Sequence, residues 1–255
     1  MFMGCGIALQ VPKLPCGAVD ESGLRRILRH QAQAGIDFVV PALANFVPET
    51  TPRASRSRVI EIAVEELRGR VGVLVPCQGS STASMIRSSR ELEALGVDGI
   101  LCPPPSVASS QRHAIEHYEA LAACVSIKIV ADNGAGPSRI KLTPAAILRL
   151  SQIEGIVGIR EPSVAIGALL GVLQQLPERF SFLGTNEAAA IALIAIGAKG
   201  IVSCLANHMP VEMAALIHSC LRGDFTCATR LHRKLLPEFF EPGSTGGHVN
   251  WRRSM

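Results

Sequence analysis

Charged and polar side chains that could do chemistry stand at the ends of short apolar runs. The run 156–161 ends on Arg160 and Glu161, and the run 126–132 ends on Asp132, which Asn133 follows. Charged groups in such places are costly to bury without a partner. An arginine can hold a carboxylate through two N–H donors, so Arg160 is a candidate anion clamp, with Glu161 or Asp132 as acid or base. A structural ion pair of Arg160 with Asp132 or Glu161 is an equally open alternative.

Eight short runs rich in β-branched residues alternate with longer segments of helical period, a pattern that predicts repeated βαβ units. The predicted strands are 6–11, 36–42, 71–77, 97–103, 126–132, 156–161, 180–185 and 200–206. Helices are expected to begin near Asp20, Pro52, Ser80, Gln111, Thr143, Val164, Glu187 and Pro210. A doubly wound open sheet competes, but no G-x-G-x-x-G follows any of these strands. The count of eight units therefore favours a closed (β/α)8 barrel, an α/β fold of the TIM-barrel type.

The length of 255 residues suits one such barrel, which typically takes about 250. We predict the barrel over 1–208 and C-terminal helices over 209–238, at 211–222 and 224–236. A Gly-rich stretch from Gly243 onward predicts a flexible tail over 239–255.

Composition narrows the classes of partner. The net charge of +4 is scattered, and one Trp and one Tyr offer no stacking platform, so nucleic acid is not expected. No run reaches the ~18 apolar residues of a membrane helix, so no membrane partner is expected either. The eight cysteines contain no C-x-x-C pair and mostly lie in apolar runs, which favours buried free thiols and a cytoplasmic location.

Active sites of such barrels lie at the carboxyl ends of the strands. Further polar residues just past the predicted strands are therefore candidates for ligand binding: Gln10, Asn45, Gln78, Ser106, Thr185, Asn186 and Asn207. Asp132 and Asn133 open a turn-like loop, where their side chains could bind substrate hydroxyls or, as we favour, satisfy loop amides.

Two weaker patterns concern metal and amine chemistry. His113, Glu116 and His117 match H-x-x-E-H, a zinc pattern, but no third ligand is evident, and we interpret the segment as a solvated helix face. No metal and no cofactor is expected. Lys128 could turn inward if Asp132 does, yet it lies in the early half of its strand, and a snorkelling surface lysine is the favoured alternative.

Several segments in register resemble the dihydrodipicolinate synthase and N-acetylneuraminate lyase family. GIVGIREPS resembles its GIKEAS strand, and GIVSCLANHMP is similar to its eighth strand, S-x-x-A-N included. MFMGCGIALQVPK resembles its first strand, AGIDFVV with TTPRASRSRVIEIAVEEL its second unit, and LGVDGILCPPPS its fourth. The resemblance covers residues 1 to about 236. It implies a homo-oligomeric barrel, and usual members carry further C-terminal helices, so the helical extension here is expected to be shortened.

The resemblance also implies a reaction that these residues do not fit. Family members join pyruvate or a similar keto acid to a lysine of the sixth strand as a Schiff base. The matching residue is Arg160, whose guanidinium stays protonated and cannot form that adduct. The family's G-T-T-G-E becomes Leu43 to Val47, with Ala44 and Asn45 at the hydroxyl positions. The family's catalytic tyrosine after strand five corresponds to Ala131 or Asp132 here. Its pair of tyrosines after strand four corresponds to Ser106 and Val107, so these tyrosines are missing as well. The single tyrosine, Tyr118, lies in the fourth helix.

Three functional hypotheses follow. The first is noncovalent binding of a small carboxylate, a keto or hydroxy acid, at the barrel mouth, with any catalysis of lyase type. The proposed site combines Arg160, Glu161 and Asp132 with substrate-binding residues that the resemblance or the strand ends indicate: Ala44, Asn45, Asn133, Gly184 and Asn207. The second is a pseudoenzyme kept for binding or assembly. The third is an active aldolase or lyase on pyruvate-type substrates that uses a relocated lysine such as Lys128.

Overall fold

The computed structural model describes residues 1–41, 53–134, 140–163 and 165–239. Eight parallel strands close into one barrel in chain order, with the eighth strand paired to the first. The strands are β1 Gly4–Ala8, β2 Phe38–Val40, β3 Gly72–Pro76, β4 Gly99–Cys102, β5 Lys128–Asp132, β6 Ile156–Glu161, β7 Ser181–Gly184 and β8 Gly200–Ser203. The (β/α)8 barrel predicted from the sequence is confirmed.

A helix follows every strand, and one more helix ends the described chain. The helices are α1 Glu21–Gln33, α2 Arg53–Leu67, α3 Thr82–Ala94, α4 Gln111–Cys124, α5 Pro144–Leu150, α6 Ile166–Leu173, α7 Ala190–Ala195, α8 Pro210–Leu221 and α9 Phe225–Phe239. Side-chain caps start several of them, as at Asp20, Ser110 and Thr143. The predicted helix starts at Pro52 and Val164 and the predicted tail from 240 onward lie outside the described residues.

Several predicted boundaries were wrong by up to three residues. The first strand, predicted over 6–11, occupies Gly4–Ala8, and two further differences lie beside β8. The predicted strand 200–206 ends at Ser203, and a 3-10 turn, Leu205–Asn207, follows it. Helix α7 begins at Ala190 instead of near Glu187. The Glu187 carboxylate accepts the backbone N–H of Cys204 at 2.7 Å and of Leu205 at 3.1 Å. Because this tertiary contact holds Glu187 against the segment after β8, the helix begins three residues later than predicted.

The apolar residues form two layers, one inside the strands and one between strands and helices. The inner cluster consists of Ala8, Val40, Leu74, Leu101, Val130, Leu183 and Val202, with Phe2 and Phe38. The two phenyl rings meet edge to face, with centroids 5.5 Å apart. Small and branched aliphatic side chains fill most of the barrel, as the scarcity of aromatic residues predicts.

All eight cysteines are free thiols. Cys5, Cys77, Cys102 and Cys220 are buried, whereas Cys16 and Cys124 are exposed, so the prediction of buried thiols is correct for half of them. Among the described helices, none is both long enough and apolar enough to cross a membrane.

An ion pair ties α8 to the beginning of β2. His218 Nε2 lies 2.7 Å from Asp37 Oδ2, which also accepts the backbone N–H of Cys5 at 2.7 Å. The hydrogen bond with Asp37 raises the pKa of His218 above its usual value of 6.5, although partial burial opposes it. Because the folded pKa is the higher one, this stabilisation is complete below about pH 6.5 and is lost as the pH rises through the raised value.

We therefore expect His218→Ala to lower the melting temperature more at pH 5.5 than at pH 9, measured by differential scanning fluorimetry across that range. His113 is an exposed histidine of α4 that pairs with no carboxylate among the described residues, so His113→Ala serves as the control and should show a flatter profile. An equal loss for His218→Ala at both pH values would show that the ion pair does not carry the effect.

Candidate ligand site at the barrel mouth

Arg160 and Asp132 face each other across neighbouring strands. The register of β5 and β6 sets Asp132 beside Arg160. Arg160 donates from Nε to Asp132 Oδ1 at 2.9 Å and from Nη2 to Oδ2 at 2.8 Å. The two side chains are 13% and 10% exposed. The sequence left open whether Arg160 would pair with Asp132 or with Glu161, and the structure shows the pair with Asp132. The pair has the bidentate geometry that arginine favours with carboxylates.

A glycine gives this pair its space. Asp132 Oδ1 also accepts the backbone N–H of Gly134 at 2.9 Å. A Cβ at Gly134 would lie 2.5 Å from Arg160 Nη2, so a side chain there would push the guanidinium aside. The loop after β5 thus approaches the pair closely.

Glu161 lies in a separate network. Successive strand residues point to opposite faces, so Arg160 and Glu161 cannot both face the barrel interior. The buried Glu161 carboxylate accepts a hydrogen bond from Asn133 Nδ2 and another, at 2.8 Å, from the backbone N–H of Ser163. The prediction that Glu161 works beside Arg160 is therefore not supported by their placement.

The side chain of Asn133 forms hydrogen bonds with backbone groups of the loop that follows β5, which is the role that we favoured from the sequence. Its Oδ1 accepts the N–H of Leu142 at 2.7 Å, and its Nδ2 donates to the carbonyl oxygen of Leu142 at 3.2 Å. With Glu161, this amide braces the two loops that follow β5 and β6.

Asn207 and Gly184 also have structural partners. Asn207 Oδ1 accepts the N–H of Gln10 at 2.9 Å, and Nδ2 donates to the carbonyls of Ala8 at 2.8 Å and Cys204 at 2.9 Å. These bonds fasten the segments that follow β1 and β8. A Cβ at Gly184 would lie 2.7 Å from Leu193 Cδ1, so this glycine lets α7 pack closely. The predicted residues Ala44 and Asn45 lie outside the described residues.

Three residues around the ends of β7 and β8 were not singled out as site residues from the sequence: Glu187, Ser203 and Cys204. Ser203 Oγ lies 3.0 Å from Glu187 Oε1, which also receives the backbone N–H groups beyond β8. Burial, together with the negative charge of Glu187, raises the pKa of Cys204 to about 11 although the charge of Arg160 opposes the shift. Cys204 is therefore a protonated thiol near Arg160. The position of Glu187 in the short segment after strand seven was the one sequence signal for its role.

Lys128 lies at the opposite end of the barrel. It is exposed at the start of β5, four residues and thus about 13 Å along the strand from Asp132. It lines a depression of about 310 Å³ together with Met1, Phe2, Met3, Asp37, Phe38, Gly72 and Asp98. An amine in that position cannot serve a site at the mouth.

The two histidines of α4 have different surroundings. His113 is exposed, with Nδ1 2.9 Å from Ser109 Oγ. His117 is buried, with Nδ1 3.0 Å from Thr82 Oγ1, and burial lowers its pKa to about 4. The interpretation of a solvated face is therefore wrong for His117, because it packs between α4 and the strands. Within the described ranges, no set of three or more His, Cys, Asp or Glu side chains is arranged to hold a metal ion.

Comparisons with known proteins agree with this architecture. The model of the dihydrodipicolinate synthetase family matches residues 1–241. The chain is 30% identical over 238 residues to a 4-hydroxy-tetrahydrodipicolinate synthase of Syntrophus aciditrophicus, covering 93% of this chain and 81% of that protein. It is 32% identical over 237 residues to a protein of the same name from Pelobacter propionicus, covering 92% and 81%. The crystal structure of dihydrodipicolinate synthase from Aquifex aeolicus superposes with a TM-score of 0.86 at 28% identity, covering 93% and 82%.

Proposed function

The chain belongs to the dihydrodipicolinate synthetase family, and we propose that it binds a small carboxylate, a keto or hydroxy acid, noncovalently at the mouth of its barrel. The observation that carries the proposal is the guanidinium of Arg160 at the carboxyl end of β6, held beside Asp132. The resemblance of GIREPS to the family's sixth strand supports the proposal, because it implies that Arg160 takes the position of the lysine that binds keto acids in other members.

Arg160 has donors to spare for such a ligand. Its hydrogen bonds to Asp132 use two of the five N–H groups of a guanidinium, and the others bond to no residue in the described part of the chain. A ligand carboxylate could take these donors or displace Asp132. Planar, paired donors suit a carboxylate better than a single ammonium group does.

The proposal includes no Schiff-base step. Such a step needs an unprotonated, desolvated amine at the reacting carbonyl. The five lysines are Lys13, Lys128, Lys141, Lys199 and Lys234. Four of them are exposed, and the fifth, Lys199, donates to the carbonyl oxygen of Glu178. The activity named for the curated relatives is therefore not part of the proposal, although a lyase-type reaction that proceeds without a covalent adduct is compatible with it.

Assembly is the second candidate function, as a pseudoenzyme or alongside ligand binding in a homo-oligomer. Helix α6 has the sequence IGALLGVL, with no polar side chain, and Leu170 is exposed on it. Helix α7 is likewise AIALIA. A helix that is apolar on all sides is typically covered, so this face could receive a second copy of the chain.

The Arg160→Ala variant distinguishes ligand binding from assembly as the function of this chain. We expect isothermal titration with pyruvate, as a small carboxylate probe, to give measurable binding to the wild type and none to this variant. Light scattering should give both the same mass. Arg179→Ala is the matched control, because Arg179 donates to the carbonyl of Ser151 and is not part of the pair. Arg160→Gln repeats the test if the alanine variant does not fold. Wild-type binding that survives both Arg160 substitutions would refute the anion clamp.

A further inference from the structure

Two cysteines lie side by side where β3 and β4 end, on the outer face of the barrel. The register pairs Pro76 with Leu101, and the backbone N–H of Cys77 donates to the Leu101 carbonyl at 2.8 Å. The same register, continued by one residue, sets Cys77 beside Cys102. Both are buried under α3 and α4, where they share Met85: Cys77 Sγ is 3.4 Å from its carbonyl oxygen, and Cys102 Sγ is 3.9 Å from its Sδ.

The remaining neighbours make the pair a compact polar cluster within the apolar layer. Cys77 Sγ lies 3.3 Å from Ser89 Oγ, and Cys102 Sγ lies 3.7 Å from Nε2 of the buried His117. The Tyr118 hydroxyl donates to the carbonyl oxygen of Cys102 at 2.7 Å. Neither the barrel fold nor the proposed ligand site requires two thiols at this place.

We propose that Cys77 and Cys102 form a reversible oxidation site, closing to an intramolecular disulfide when the chain meets a peroxide. Neighbouring strands lie about 4.8 Å apart, and disulfides span Cα separations of roughly 4.4–6.8 Å. The bond can therefore form with side-chain rotation and a small adjustment of the strand ends. Cys77 is followed directly by the exposed Gln78, which gives a molecule as small as hydrogen peroxide a short path to it.

Cys77 is the thiol that reacts first. Hydrogen bonds, from the Cys102 thiol above all and also from Ser89 and Ser88, lower the pKa of Cys77, although burial opposes this. The pKa of Cys102 is raised by its contact with Cys77 and by burial. Cys77 is also the thiol that adjoins the exposed Gln78. Because the thiolate is the nucleophile, its position and the direction of its pKa together assign attack to Cys77 and resolution to Cys102.

The chemistry balances with hydrogen peroxide as the oxidant. The Cys77 sulfur attacks one peroxide oxygen, the O–O bond breaks, and the leaving hydroxide takes the thiol proton as water, which leaves a sulfenic acid. The Cys102 sulfur then attacks the Cys77 sulfur, the S–O bond breaks, and hydroxide leaves as water with the Cys102 proton. Two thiols and one peroxide thus give one disulfide and two waters.

The test is peroxide treatment of the full chain in which the exposed or half-buried cysteines, Cys16, Cys124, Cys204 and Cys227, are replaced by serine. After quenching, unfolding and alkylation, peptide mass spectrometry should find a linked peptide pair containing Cys77 and Cys102 that dithiothreitol separates. The equally buried Cys5 and Cys220 should stay reduced.

Single variants assign the roles. With Cys102→Ser, dimedone should trap a sulfenic acid on Cys77, and with Cys77→Ser, Cys102 should stay reduced. Circular dichroism confirms that each variant is folded. The proposal is overturned if both cysteines stay reduced at peroxide levels that oxidise Cys16 in the unmodified chain, or if Cys77 oxidises without becoming linked to Cys102.

Discussion

Replacing either Arg160 or Asp132 by alanine is expected to lower the free energy of unfolding by about 3–5 kcal/mol, the usual cost of leaving one buried charge without its partner. Both side chains are largely buried and joined by two hydrogen bonds, so solvent can replace little of the lost interaction. Urea unfolding followed by circular dichroism measures the change. The effect should be larger than that of most single substitutions.

A double-mutant cycle separates this pair from general loss of packing. The Arg160→Ala/Asp132→Ala variant should lose clearly less stability than the sum of the single variants, because neither charge is then left alone. The exposed pair of Arg149 with Glu119 is the control, and Arg149→Ala should cost at most about 1 kcal/mol. Additive losses at residues 160 and 132 would mean that the ion pair is not the origin of the effect.

Asp132→Asn is expected to tighten binding of pyruvate by about 10- to 100-fold. In the wild type, the Asp132 carboxylate occupies two donors of Arg160 and competes with a ligand carboxylate. A hydrogen bond to a charged group contributes about 1.5–3 kcal/mol, and each 1.4 kcal/mol corresponds to about tenfold in affinity. Asparagine keeps an acceptor for the N–H of Gly134, so the loop contact can persist.

Isothermal titration at low ionic strength measures this change, because salt screens the attraction between the ligand and Arg160. Asp98→Asn is the matched control: Asp98 accepts the N–H of Val73 and lines the depression at the opposite end of the barrel. Its affinity for pyruvate should equal that of the wild type. Weaker binding by Asp132→Asn would show that Asp132 helps to hold the ligand instead of competing with it.

The fold was predictable because each strand and helix carries its own local pattern. Strand β6 occupies the predicted residues 156–161, and the caps at Asp20 and Thr143 start helices where the sequence indicated. The boundaries that failed beside β8 depend on contacts between distant elements. Glu187 is near the start of α7 in sequence, but its carboxylate serves the backbone after β8, and no local pattern contains that information.

The site was predictable only in part, for a geometric reason. Arg160, Asp132 and Glu161 were all chosen because they stand at strand ends. Side chains alternate between the two faces of a strand, however, so only one of the successive residues Arg160 and Glu161 can face the barrel interior. The pairing of Arg160 with Asp132 was one of two alternatives, and the register of β5 and β6 decides between them. Asn207 met the same positional criterion, but its amide is used by backbone groups, which no spacing in the sequence reveals.

Noncovalent binding is tested most directly by incubating the purified wild-type chain with pyruvate and borohydride, which reduces any imine to a stable adduct, and then measuring the intact mass. A family member that carries the Schiff-base lysine serves as the positive control. Noncovalent binding through Arg160 predicts an unchanged mass for this chain. A pyruvate-sized gain in mass would contradict it and would show that one of the five lysines has taken over the covalent chemistry.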